Sequence, residues 1–213
     1  MNQDSGSVAG ADSRTDQEEE LGAAGAITVR PRSSIRFNLN WIEGSAGAPT
    51  SDLDIGCLFV LADGRRGAVQ SVDRLDRSDG GLTSVPDSDG NPLIDLDCDD
   101  LYGSRRQGET LTVLRPRAVS FMVLFVSIYR GSSDFRSVGA TITVMNGSWK
   151  LGMTRLSAPP PGLNWCAVLT MGAHDGRTCL VSEERYFRSA YHADRHYGFG
   201  LLWRAGMKPG ALG

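Results

Sequence analysis

The sequence predicts an all-β protein: an antiparallel β-sandwich preceded by a disordered acidic tail. Three observations carry that expectation. Between Ile35 and Trp41 the residues alternate, with Ile35, Phe37, Leu39 and Trp41 on one face and Arg36, Asn38 and Asn40 on the other. That period of two marks a half-buried strand. Turn formers such as Asp63-Gly64, Asn146-Gly147 and Asp175-Gly176 punctuate strand-like runs, at a spacing of about a dozen residues that suits a sandwich. Finally, AVSFMVLFVSIY from Ala118 to Tyr129 is almost wholly apolar, as expected of a strand covered on both faces at the centre of a sheet.

Taken in order, AITVRP is a short β-branched run closed by Pro31, and the alternating strand follows it. DLDIGCLFVLADG reads as a strand ending at Asp63-Gly64, and RLDRSDGGLTSVPDSDGNP as a long polar loop. ETLTVL and the central apolar strand come next. Two further pairs of strands surround Asn146-Gly147, a two-residue hairpin signal, and Asp175-Gly176. The prolines of PPPGLN separate these pairs. Only Phe187 to His196 has room for a helical turn or two. The expected organisation is a tail over residues 1–25, one folded domain over 26–208 and a short tail over 209–213.

Composition excludes several classes. The chain has 213 residues and a net charge of −3. Residues 1–25 hold six acids against Arg14, a net −5, which leaves the remainder near +2. That segment has almost no large apolar residue, so it cannot bury enough surface to offset the entropy of ordering. A body so close to neutral lacks the basic excess of a nucleic-acid binder. Lys150 and Lys208 are the only lysines. The arginine preference could serve oxyanion recognition, but a codon-level bias towards Arg, Ala and Gly is the plainer explanation. Cys57, Cys98, Cys166 and Cys179 form no C-x-x-C pair. With no signal peptide at the amino end, the expectation is a cytoplasmic protein with reduced thiols. No apolar stretch reaches the roughly 18 residues of a membrane-spanning helix.

The most unusual stretch is PLIDLDCDDLYG, where Asp95, Asp97, Asp99 and Asp100 fall within six residues. Carboxylates so close repel one another and resist joint ionisation. Asp52 and Asp54, in PTSDLDIG, open an otherwise apolar strand, and their spacing directs both to one sheet face. Neither has a basic neighbour in sequence, and buried carboxylates need a partner. A hard cation takes six to eight oxygens, and Asp52, Asp54, the loop from Asp97 to Asp100 and Glu109 could supply them if they meet at one end of a sandwich. The loop is not an EF-hand, since Asp100 and Arg106 occupy the positions of its glycine and final glutamate. Turn capping and pairing with Arg105 or Arg106 would account for the same acids, and spacing alone leaves both readings open.

NLNWIEG…SDLDIGCLFVLADG, LDCDDLYG…GE and VLFVSIYRGSSDFRSVGATITV, in that order, resemble the TerD-like family associated with tellurium resistance. The likeness is closest to the TerA-type branch, whose carboxy-terminal aromatic and histidine pattern corresponds to RYFRSAYHADRHYGFGLLW here. The resemblance runs from about Val29 to Lys208. It implies a β-sandwich without known catalytic activity that binds calcium through the two acidic motifs, in bacterial stress and phage-defence gene clusters. Its expected partners are other Ter-type stress-response proteins. The implied ligands are Asp52, Asp54, Asp99 and Asp100, with Asp97 and Glu109 also matching. The chain departs from the family at Leu101-Tyr102, where Arg-Thr is common, and at Cys98, where Gly is usual.

Other features compete less well. His192 and His196 have the i, i+4 spacing of a helical zinc pair, but no glutamate lies between them, and pairing with Asp194 or backbone is the plainer expectation. Acid–base hydrolysis needs two carboxylates in unlike environments, whereas these acids are bunched; no serine elbow, Walker loop or dinucleotide fingerprint is present. The aromatics from Tyr186 to Trp203 suit core packing better than docking. A calcium-dependent membrane-surface module stays as an alternative, with Arg105-Arg106 and Leu101-Tyr102 as its tips.

Overall fold

The computed structural model describes residues 26–30, 32–42, 51–70, 82–97, 103, 108–132, 134–174 and 176–203. Among these residues twelve strands and one α-helix follow in chain order: β1 (Ala26–Thr28), β2 (Ile35–Asn40), β3 (Asp52–Leu61), β4 (Arg66–Gln70), β5 (Ser84–Pro86), β6 (Pro92–Leu96), β7 (Glu109–Val113), β8 (Val119–Arg130), β9 (Thr141–Asn146), β10 (Trp149–Arg155), β11 (Trp165–His174), β12 (Arg177–Phe187) and α1 (Ala190–Tyr197). They form two six-stranded sheets, ordered β1-β12-β11-β8-β3-β4 and β10-β9-β2-β7-β6-β5. Strand pairing within each sheet is antiparallel. The molecule is the expected antiparallel β-sandwich. Among the described residues no helix is long and apolar enough to cross a membrane.

Alternation along each strand decides what the sheets bury. From β2 come Ile35, Phe37 and Leu39, from β3 Leu53, Ile55, Cys57, Phe59 and Leu61, and from β7 Leu111 and Val113; all join the core between the sheets. Each fully buried side chain of that size contributes about 1.5–3 kcal/mol relative to exposure. β8 lies between β11 and β3, and both its faces are covered. Met122, Leu124 and Val126 enter the central core, while Val123 and Phe125 enter a second one on the outer face.

The second core explains the carboxy-terminal aromatics. Ala193, Phe199 and Leu201 cover Leu58, Val123, Phe125 and Trp165. Phe121 stacks on Phe199 at 5.6 Å and Phe125 on Trp165 at 4.6 Å. Asp194 ties the layer down from within α1: its carboxylate, only 1% exposed, accepts the Leu201 N–H at 3.2 Å and the Trp203 indole N–H at 2.7 Å. Arg66 Nη1 donates to Phe199 O at 2.9 Å from β4.

Two expectations need correction. The polar loop after β4 is not irregular throughout, because Ser84–Pro86 forms β5 and pairs with β6; its first part, 74–81, lies outside the described residues. The β9–β10 hairpin pairs Asn146 with Trp149, so its two loop residues are Gly147 and Ser148, not Asn146 and Gly147. Asn146 is buried instead, accepting the Arg30 N–H at 2.7 Å and donating to Ser34 O at 3.2 Å. The tails at residues 1–25 and 209–213 lie outside the described residues.

Burial pushes the Cys57 thiol up from its ordinary 9.0 to about 12, and Cys166 is raised by burial too. A raised thiol favours the protonated folded state, so the Cys57 contribution is full below about pH 9 and is lost as pH rises towards 12. Ellman's reagent at neutral pH should leave Cys57 and Cys166 unreacted until urea unfolds the chain; rapid native labelling of either would refute this packing. Asp194→Ala should lose about 2–3 kcal/mol in urea denaturation, since charged hydrogen bonds are worth roughly 1.5–3 kcal/mol. Exposed Arg155→Ala should stay within about 0.5 kcal/mol of wild type.

Candidate functional site

Glu109 is the first residue of β7 and alternates with core-facing Leu111 and Val113, so its carboxylate points between the sheets. It is 0% exposed. The β3–β4 ladder starts only at Gly56, and one residue earlier Ile55 donates its N–H to Glu109 Oε2 at 2.8 Å. A side-chain carboxylate from one sheet thus receives a backbone donor of the other. Gly108 permits the approach: its φ is +65°, and a Cβ there would collide with the Leu39 carbonyl.

Asp52 and Asp54 lie on the opposite face of β3 from Leu53 and Ile55, both on one face as their spacing predicts. They are nearly buried, at 5% and 7% exposure. The antiparallel register sets Asp52 opposite Arg130 and Asp54 opposite Ser127. Arg130 Nη2 stands 3.7 Å from Asp52 Oδ2, with a side chain 62% exposed, which makes it a weak, screened counter-charge. Sequence reasoning missed this partner because the residue becomes a neighbour only through strand pairing. Just before Asp52, the Ser51 carbonyl accepts the Trp41 indole N–H at 2.8 Å.

The second acidic motif approaches the same end. Asp97 is exposed just beyond β6, and its Oδ1 accepts the Thr110 N–H at 2.8 Å, next to Glu109. Gly103, at φ +54°, packs so closely on Trp41 that a Cβ would lie 2.5 Å from the Trp41 carbonyl. Asp97, Gly103 and Gly108 therefore fix points along this segment against β7, Trp41 and Leu39. Asp99 and Asp100 lie outside the described residues, as do Leu101, Tyr102, Arg105 and Arg106. Asp95 sits half-buried on the strand surface opposite Thr112 and Ser84. Among the described residues no group of three His, Cys, Asp or Glu side chains is close enough to hold a metal ion. Asp52 and Asp54 on one face of β3 and Glu109 on the other explain why.

The histidines are occupied differently from the expectation. His192 Nδ1 lies 2.9 Å from Ser189 Oγ, and the His196 ring packs on Phe187 and Tyr197. Asp194 serves Leu201 and Trp203 instead of either histidine.

A two-sheet antiparallel sandwich is the architecture that the resemblance to the TerD-like family implies. Comparison with known proteins agrees. The chain is 25% identical over 186 residues to the tellurium resistance protein TerA of Alcaligenes sp. The match covers 82% of this chain and 52% of that protein, so the chain spans about half the length of its curated relative. Two solved structures share the fold. SAV2460, a protein of unknown function, superposes with a TM-score of 0.58 at 18% identity, covering 81% of this chain and 100% of that one. SCO6318 from Streptomyces coelicolor A3(2), a homologue of the telluride resistance protein TerD, gives 0.52 at 19% identity, covering 76% and 94%. No protein-family model matches the chain. The chain is thus similar to a tellurium-resistance protein in sequence and to a TerD homologue in fold.

Replacing Glu109 should separate its acceptor role from its charge. Glu109→Ala strands the Ile55 N–H and opens a cavity, a loss of about 2–4 kcal/mol. Glu109→Gln keeps an acceptor oxygen and should lose distinctly less. Urea denaturation in a chelating buffer reads both, and equal losses would contradict the Ile55 contact.

Proposed function

We propose that this chain is a non-catalytic, calcium-binding β-sandwich acting in a tellurium-resistance type of stress response, in assembly with other Ter-type proteins. The observation that carries the reading is the near-complete burial of Asp52, Asp54 and Glu109 at one end of the sandwich. Asp97 and Gly103 tie the second acidic motif to that end. The donors are all carboxylate oxygens, which suits a hard cation such as calcium over a soft one. In this reading Asp52 and Asp54 supply one side of the ion's shell, and Asp99 and Asp100, two and three residues beyond Asp97, supply the other. Asp97 and Glu109 each use one oxygen on a backbone N–H; they hold the loop and β3 in place, Glu109 from the face of β3 opposite Asp52 and Asp54. A bound cation would supply the positive charge that lets these acids ionise together. The free thiols of Cys57, Cys166 and Cys179 fit a reducing, cytoplasmic setting.

Isothermal titration with calcium tests the site. Wild type should give saturable heats, and Asp52→Asn combined with Asp99→Asn should abolish them; equal heats, or none from either, would sink it. Saturating calcium should also raise thermal stability, by about 2.7 kcal/mol at a hundredfold excess over Kd.

A second reading, a calcium-dependent membrane-surface module, draws on Ile42 and Tyr129, which are 62% and 64% exposed near this end. Pelleting with anionic liposomes only when calcium is present would favour it, and pelleting that ignores calcium would exclude it.

A further inference from the structure

One corner of the end opposite the buried carboxylates is basic, while Asp63 and Asp87, at the β3–β4 and β5–β6 turns of the same end, are paired with Arg65 and Arg115. Three connections meet there: the link from β1 to β2, the β9–β10 hairpin and the β11–β12 turn. Arg30 donates its N–H to Asn146 Oδ1 and places its guanidinium 4.7 Å from the centre of the Trp149 ring. Arg36 Nη2 reaches Gly147 O at 3.5 Å. Lys150 follows Trp149 and pairs with Met145, which in turn neighbours Arg36. Val29 N–H bonds Thr178 O, and carrying the β1–β12 register onward sets Arg30 opposite Arg177. Arg32 completes the group.

All five cations are exposed, and so is Trp149, at 59%. Among the described residues none of Arg30, Arg32, Arg36 and Arg177 forms an ion pair with a carboxylate, unlike Arg65 with Asp63 or Arg115 with Asp87. Val29 N–H on Thr178 O brings Arg30 and Arg177 into one neighbourhood, and an anion would offset their like charges. Guanidinium forks are suited to carboxylates.

We propose that this basic end docks the chain's own acidic segment, residues 1–25, through its run Glu18-Glu19-Glu20. Charge complementarity singles out that occupant: the segment carries a net −5, and the other end of the sandwich, with its own carboxylates, repels it. The reach is sufficient. Ala26 opens β1, which runs towards the basic end, so Arg30 lies about 13 Å further along at the strand rise. Glu20, six residues before Ala26, has a span of about 20 Å when extended, enough to fold back beside Arg30 and Arg177. The contact is electrostatic and loosens with salt, because about 1 M ionic strength shortens the screening length to about 3 Å.

Amide and indole NMR of the full chain tests this. With Glu18→Gln, Glu19→Gln and Glu20→Gln together, the Trp149 indole and the Arg30, Arg32 and Arg177 amides should shift, and wild type in about 1 M salt should shift the same way. Reciprocally, Arg30→Gln with Arg177→Gln should move the Glu18 to Glu20 amides while the core amides of β8 hold still, which shows that the fold survives. Unmoved basic-end signals in the triple glutamine variant would overturn the proposal. So would shifts that grow with protein concentration, which would mean that a second copy supplies the acids.

Discussion

Ile55 N–H on Glu109 Oε2 is the bond on which the acidic end of this molecule depends. It lies between the sheets, with its acceptor carboxylate fully buried. In such surroundings a backbone donor left unmatched costs about 1–3 kcal/mol, and a carboxylate left alone costs more. Each group makes the burial of the other tolerable. The bond fixes where β3 begins relative to β7, and so fixes where Asp52 and Asp54 emerge on the far side of β3.

From that constraint the two faces of β3 take separate tasks. Leu53, Ile55, Cys57, Phe59 and Leu61 close the central core. On the reverse face, Asp52 and Asp54 give way along the strand to Leu58, which lies beneath Phe199 and Leu201. One ten-residue strand therefore has an acidic start and an aromatic-covered remainder on the same side. The Asp194 carboxylate holds that cover in place. Asp52 and Asp54 are buried at one end of the sandwich, and Arg30, Arg36 and Arg177 are exposed at one corner of the other.

Much of this is legible in the sequence, and the rest has physical reasons for being hidden. β2 reads directly because its alternation is unbroken, and β8 because a strand covered on both faces has no polar side to mislead. β5 hides because three residues ending in proline carry little local signal; its pairing with β6 creates it. The acids at 52, 54 and 109 stand out by type and by resemblance to TerD-like proteins, yet their faces do not: Glu109 looks inward while Asp52 and Asp54 look outward, a distinction set by which sheet each strand joins. Arg130 beside Asp52 depends on the β3–β8 register. Asp194 was visible only as a neighbour of two histidines, and the donors it serves lie beyond the helix.

In the proposed function the two acidic motifs would share one hard cation at the Trp41 end of the sandwich. Terbium luminescence tests it most directly, because terbium takes calcium's oxygen ligands and emits when a nearby indole is excited. The Trp41 indole is bonded to Ser51 O, one residue before Asp52. Sensitised terbium emission should appear with the wild type, fall as calcium displaces the ion and be lost in Asp54→Asn. Emission absent from the wild type, or indifferent to both calcium and Asp54, would contradict it.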